Sequence, residues 1–188
     1  MVGIVTVRQA TAIDAIADAY TQRLAALDPV SATYLGISGH DHEMTDYSPA
    51  GHAEMAQLNR DTLAELAKAT PADDTDRVTL AAMKDRLSLS LELDEAGEFL
   101  SDLNVIASPL QGLRDVLDVM PTATTDDWAN IASRVSRVPE AVRGYIESLR
   151  AAAARGLVAA ELQVEECIKQ ASDLADPESS FFVTFLAG

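Results

Sequence analysis

The apolar residues of this sequence recur every three or four positions along almost the whole chain, a spacing that places them on one face of successive α-helices. Residues typical of helix starts stand before these runs. Ser, Thr and Asp side chains accept hydrogen bonds from first-turn N–H groups, and proline suits that turn because it has no N–H to leave unpaired. The starting signals are Thr11, Ser48-Pro49, Asp73, Ser108-Pro109 with Gln111, and Thr124 with Asp127.

This pattern predicts an all-α fold, an array of about seven mostly antiparallel helices with short connections. Leu89 and Leu93 lie beside the main apolar stripe of the third long helix, so we expect that helix to be buried on more than one side. Pro139 should end or kink the helix that Thr124 opens, and Gly156 should cap the helical segment that follows.

Two segments at the ends of the sequence favour strands instead. Gly3–Val7 and Phe181–Phe185 are short runs of apolar, β-branched and aromatic residues. They could pair as a two-stranded ribbon, or they could be apolar ends without such a partner. The end of the chain, Phe181–Gly188, is apolar and lacks a polar cap, so we expect it to be buried within the domain, buried in a homodimer, or disordered.

Length and charge narrow the class of protein. The 188 residues predict one helical domain, and 14 basic against 30 acidic residues give a net charge of 14 − 30 = −16. Because phosphate binding needs a cationic surface, this charge argues against nucleic acid and anionic membranes as partners. The sequence has no signal-peptide pattern and no apolar run of about 20 residues, so we expect a cytoplasmic protein.

The three histidines are the first candidates for a metal-binding or catalytic site. His40-Asp41-His42-Glu43 has metal-ligand residue types, and the pentapeptide from His42 to Asp46 approaches the zinc-protease pattern H-E-x-x-H. That pattern needs both histidines one turn apart on a helix, whereas here the fifth residue is aspartate and the segment precedes the next helix start. We therefore predict a polar loop, with no metal site.

The other candidate functional residues are mostly explained by a role in packing or helix capping. Cys167 cannot form an intrachain disulfide because it is the single cysteine, and its acidic neighbours Glu165 and Glu166 should raise the thiol pKa, which predicts a packed thiol. Trp128 lies on an apolar stripe and is expected in the core. Ser108, Gln111 and Arg114 could reach a neighbouring surface, although helix capping already explains the first two. No catalytic, cofactor-binding or metal residue is assigned.

An ordered set of short motifs runs along the sequence: Tyr34-Leu35-Gly36-Ile37, His40-Asp41, Thr45-Asp46-Tyr47-Ser48-Pro49, Ser108-Pro109-Leu110-Gln111, Met120-Pro121, Trp128 to Val135, Val138-Pro139 and Gly156 to Ala159. Together these motifs resemble a bacterial family known as domain of unknown function 885. Members of that family are usually longer and resemble helical zinc metallopeptidases of the carboxypeptidase type. Their H-E-x-x-H helix and later glutamate ligand fall after the segment that this chain matches.

The resemblance therefore implies an N-terminal portion of a longer protein, whose helices wall one side of a substrate cleft. Its partner would be the remainder of that polypeptide, and zinc would belong to that remainder. Two other hypotheses stay open. One is an independent acidic helical module that binds another protein, with a homodimer as one form of it, and the other is a small enzyme that uses the His40–Glu43 loop. We expect the chain alone not to hydrolyse peptides.

Overall fold

The computed structural model describes residues 8–178 and 180–187, and within them the fold is all-α, with no strand. The predicted strand Gly3–Val7 lies outside the described residues. The helices are α1 (Ala12–Leu27), α2 (Pro29–Tyr34), α3 (Pro49–Leu66), α4 (Asp74–Ala96), α5 (Pro109–Asp115), a 3₁₀ turn (Val116–Val119), α6 (Thr125–Ala154), α7 (Glu161–Ala175) and α8 (Phe181–Ala187).

The predicted helix starts are confirmed by their capping bonds. The side chains of Thr11, Ser48, Asp73 and Thr124 each accept a backbone N–H from the first turn of the following helix. Gly156 has a φ of 78° just after α6, and the next N–H bonds back to the Ala152 carbonyl, as expected for a glycine-ended helix. Capping is local chemistry, so the sequence predicts it well.

Helices α1, α3 and α4 pack side by side, with sequential neighbours antiparallel. The Tyr20 hydroxyl lies 3.2 Å from Asn59 Oδ1, and Asn59 Nδ2 donates to Ser90 Oγ at 3.1 Å, which links the middles of all three helices. At one end, Thr11 Oγ1 donates to Asp76 Oδ1 at 2.8 Å, so α1 and α4 begin beside each other. The short connection between α3 and α4 makes that pair antiparallel.

An apolar cluster lies between α2, the 3₁₀ turn and the first half of α6. Its buried members are Val30, Val116, Leu117, Met120 and Ile131. The three C-terminal phenylalanines pack against this cluster from α8, so the predicted strand Phe181–Phe185 is wrong. Ser180 starts this helix by accepting the Val183 N–H, and burial of the rings outweighs the local preference for strand.

Two predictions about buried faces are also wrong. Leu89 and Leu93 are 44% and 37% exposed, because α4 is covered on one side only. Trp128 is 37% exposed at the edge of the apolar cluster, where the centre of its ring lies 5.8 Å from that of Phe185. Hydrophobic spacing identifies a possible buried face, but a neighbouring element has to cover it.

Pro139 lies inside α6, which continues through it for 30 residues. A proline removes one N–H from the helical ladder and leaves the carbonyl four residues earlier without its partner. Pro139 is exposed, and the helix does not end there.

No helix among the described residues combines the length and the apolar character needed to cross a bilayer.

Candidate functional site

The loop between α2 and α3 is held against α6 by a fully buried arginine. Arg134 is 0% exposed, and its guanidinium donates to three backbone carbonyls and one hydroxyl. The acceptors are Glu43 O at 2.7 Å, His40 O at 2.9 Å, Pro29 O at 3.2 Å and Thr33 Oγ1 at 2.9 Å. Burial lowers the pKa of Arg134, and nearby Asp41, Tyr47 and Glu43 oppose that shift.

The same loop touches α6 again about three to four turns further on. Ser148 Oγ donates to the Tyr47 carbonyl at 2.6 Å. At Gly144 the loop comes so close that an added Cβ would lie 3.0 Å from Ser48 N and 3.3 Å from Asp46 Oδ1. Glycine is needed here for close approach of two backbones. Residues 44–48 are thus a fixed strip, with α6 on one side and α3 on the other.

A groove of about 420 Å³ runs between this strip and the middle of α6. Four charged side chains of alternating sign line it from α6: Arg137, Glu140, Arg143 and Glu147. Among the residues that the structure describes, none of the four has an ion-pair or hydrogen-bond partner. Ser48 and Asp46 form the opposite wall, and Asp46 Oδ1 accepts the Ser48 N–H at 2.9 Å.

On the other side of the strip is a smaller cavity of about 200 Å³, bounded by α3 and the end of α4. It is lined by polar and apolar groups: Leu27, Asp28, Thr45, Asp46, Tyr47, Gly51, His52, Met55, Ala56, Asn59, Ser90, Asp94 and Phe99. The imidazole of His52 is stacked parallel to the ring of Phe99, with ring centres 6.4 Å apart. Burial raises the pKa of the Tyr47 hydroxyl well above its usual range, so this group stays protonated.

The His40–Glu43 segment forms a loop and not a helix, so the H-E-x-x-H geometry does not arise. Both imidazoles face one carboxylate: His40 Nδ1 is 3.0 Å and His42 Nε2 is 3.4 Å from Glu43 oxygens. Asp41 instead accepts a hydrogen bond from Thr33 at 2.9 Å. No group of three or more His, Cys, Asp or Glu side chains in the described part of the chain is arranged to hold a metal ion.

Cys167 is buried, as its packed position on α7 predicts, and its thiol donates to the Asn104 carbonyl at 3.3 Å. The cause of its raised pKa differs from the expected one, because burial and not the neighbouring glutamates raises it.

Gln111 accepts the Ser108 N–H at 2.8 Å, so Ser108 and Gln111 cap the start of α5. Gln111 also donates to the side chain of Gln170 and thereby links α5 to α7. Arg114 lies over the Phe181 ring at 4.1 Å and pairs with Asp115 at 3.0 Å. Its guanidinium therefore contacts the chain's own last helix instead of a neighbouring surface.

Sequence reasoning missed Arg134, the charged stripe and His52. A signal for the first exists, since Arg134 follows Ile131 by three residues and precedes Val138 by four, which puts a cation on the apolar face of α6. The stripe shows no such signal, because alternating charge is typical of any solvent-facing helix.

A family model described as "Bacterial protein of unknown function (DUF885)" matches residues 29–187, which is most of the chain and includes the whole strip, the groove and α6. A comparison with curated proteins gives no match.

Proposed function

Because the chain belongs to the DUF885 family of bacterial proteins of unknown function, we propose that it is a non-catalytic helical domain of a metallopeptidase-like protein. In this proposal zinc and its ligands belong to another part of a longer polypeptide, which is also the domain's partner. The domain contributes one wall of a peptide-binding cleft, and the groove beside α6 receives the peptide chain.

The charged stripe of α6 is the observation that carries this proposal. Arg137, Glu140, Arg143 and Glu147 are exposed, line one groove and have no partner among the described residues. Because helices rise about 1.5 Å per residue, the stripe is about 15 Å long, which matches about five residues of extended peptide. Unpaired groups of both signs suit a mixed-charge peptide better than a nucleic acid or an apolar ligand.

A fixed groove also suits binding for energetic reasons. Arg134 fixes the loop at Glu43, just before the strip, and the contacts of Ser148 and Gly144 hold residues 46–48 against α6 before any ligand arrives. A preformed site loses less conformational entropy on binding than a loop that has to be ordered.

The test is a titration of the ¹⁵N-labelled chain with a capped pentapeptide of alternating glutamate and lysine, followed by NMR. We expect shifts at residues 44–48 and along the stripe, and roughly tenfold weaker binding by the double variant Arg137→Ala and Arg143→Ala. Arg150→Ala is the matched control, because Arg150 is an exposed arginine of α6 outside the groove. Equal weakening by the control, or shifts elsewhere only, contradicts the groove.

The same preparation tests the absence of catalysis. We expect no zinc-dependent peptide hydrolysis above the rate in buffer. Hydrolysis that disappears in His40→Ala and His42→Ala would instead support a small enzyme that uses the His40–Glu43 loop.

A self-associating interaction module is the second candidate, and one feature of α4 favours it. Val78, Leu89 and Leu93 are exposed by 69%, 44% and 37% and share one face of that helix. Sedimentation equilibrium distinguishes the two candidates, because a dimer that Leu89→Glu dissociates would support the module.

A further inference from the structure

One side of α4 is exposed along the whole length of the helix and consists mainly of apolar and small residues. Its members recur at intervals of three or four positions, so they lie in line on the side that faces away from the buried Asp76 and Leu87. All eight members of this α4 face are exposed: Thr75, Val78, Ala82, Asp85, Arg86, Leu89, Leu93 and Ala96. The face is about 30 Å long, and an exposed apolar surface of this extent indicates an interaction site.

The α4 face is symmetric in sequence about its middle. Asp85 and Arg86 form the centre and carry its charges, which are opposite in sign. The other members pair off at equal distances on the two sides: Ala82 with Leu89, Val78 with Leu93, and Thr75 with Ala96. Within the described residues, neither central side chain has an ion-pair or hydrogen-bond partner.

We propose that the α4 face binds the same face of a second copy of this chain, with the two centres in contact at a two-fold axis. Contacts of this kind need a self-complementary surface. Because the apolar members lie at equal distances from the centre, apolar side chains meet apolar side chains whether the two helices run parallel or antiparallel. This inference rests on the second candidate function, a self-associating module, and it specifies the surface and the register of the association.

The central charges select a second copy in this register. The Asp85 carboxylates and the Arg86 guanidinium groups of both copies then meet at the same level and form a neutral group, in which each arginine has a carboxylate of the other copy within reach of its long side chain. A shift by one turn would move these charges against Leu89 or Ala82, where they would lose water without gaining a partner. A partner with a purely apolar face would bury the same two charges unpaired.

Sedimentation equilibrium of two complementary charge variants tests this pairing. Arg86→Asp leaves only carboxylates at the centre of the dimer, and Asp85→Arg leaves only guanidinium groups, so each variant alone should dimerise at least tenfold more weakly than the unchanged chain. An equimolar mixture of the two should form a heterodimer, since each centre then meets one of opposite sign. Lys84→Asp is the matched control, because it makes the same change of charge as Arg86→Asp at an exposed position of α4 outside the face. It should dimerise like the unchanged chain.

The chain carries a charge of −16, so the measurement uses about 0.15 M salt, where a Debye length of about 8 Å screens the repulsion between whole copies. A single pair of helices is a small interface, for which we expect a micromolar Kd. An unchanged chain that stays monomeric at several hundred micromolar overturns both this proposal and the second candidate function. A dimer that both charge variants leave intact, or a mixture that does not restore it, overturns the α4 pairing and leaves self-association to another surface. The peptide titration of the groove decides the first candidate function in every case.

Discussion

Arg134 shows how a single side chain sets the shape of the candidate site. Its guanidinium is fully buried, yet the hydrogen bonds it makes are to uncharged oxygens of the loop and of α2. Arginine suits this role, because its planar group presents five donors in a fixed geometry and stays protonated when buried. Without Arg134 the Glu43 carbonyl would have no donor among the described residues. The carbonyls of Pro29 and His40 would each keep one, from Thr33 Oγ1 and from the Glu43 N–H.

We therefore expect Arg134→Met to lower the free energy of unfolding by about 3 kcal/mol or more, since four hydrogen bonds from a buried charged group are lost at once. Arg137→Met is the matched control, because Arg137 is exposed on the same helix and has no partner within the described residues. The control should change stability by less than about 0.5 kcal/mol. Urea unfolding measures both, and an equal effect of the two variants would contradict the role of Arg134.

At the scale of elements, the strip depends on how closely α3 and α6 approach it. Gly51 lies in the first turn of α3, where an added Cβ would be 2.1 Å from the Asp46 carbonyl oxygen. That oxygen belongs to the backbone, so it cannot move aside as the end of a flexible side chain could. Gly112 of α5 is a contrasting case, because the nearest atom that an added Cβ would meet is Tyr47 Oη at 4.0 Å.

Gly51→Ala should destabilise the fold by roughly 2 kcal/mol or more, through displacement of residues 46–48. Gly112→Ala should be neutral or stabilising by up to about 1 kcal/mol, because alanine favours the helix and finds space there. Chemical denaturation gives both values. A destabilised Gly112→Ala beside an unaffected Gly51→Ala would mean that the close contact at α3 is absent in solution.

The elements also show which parts of the fold local sequence can predict. The starts at Thr11, Ser48 and Thr124 follow from capping residues a few positions away, so sequence alone locates them. The strand prediction at Phe181–Phe185 fails because its phenylalanines pack against the apolar cluster that contains Val116 and Ile131, far away in the chain. The groove and the His52 cavity depend on the same long-range contacts, and sequence spacing carries no signal for either.

At the scale of the whole molecule, the charge of −16 has to be accommodated on the surface. Ion pairs offset part of it locally, as where Arg8 contacts Asp14, Asp73 and the buried Asp76 at the start of α1 and α4. Many carboxylates have no such partner among the described residues, and Asp85, Glu92 and Glu95 of α4 are exposed examples. The excess of like charge destabilises the compact state through repulsion over long distances.

Salt should therefore stabilise this protein. The Debye length falls from about 30 Å at 0.01 M to about 8 Å at 0.15 M, which removes long-range repulsion while leaving contacts at hydrogen-bond distance largely intact. Exposed ion pairs contribute only about 0–1 kcal/mol each, so their weakening should not reverse the effect. We expect Tm to rise by several degrees between 10 and 150 mM sodium chloride, measured by calorimetry (roughly 2–4 °C per kcal/mol at this size). A variant with Asp85→Asn, Glu92→Gln and Glu95→Gln should have a higher Tm at low salt, and its Tm should rise less as salt is added. A Tm that falls with salt in both proteins would mean that attractive ion pairs dominate the surface.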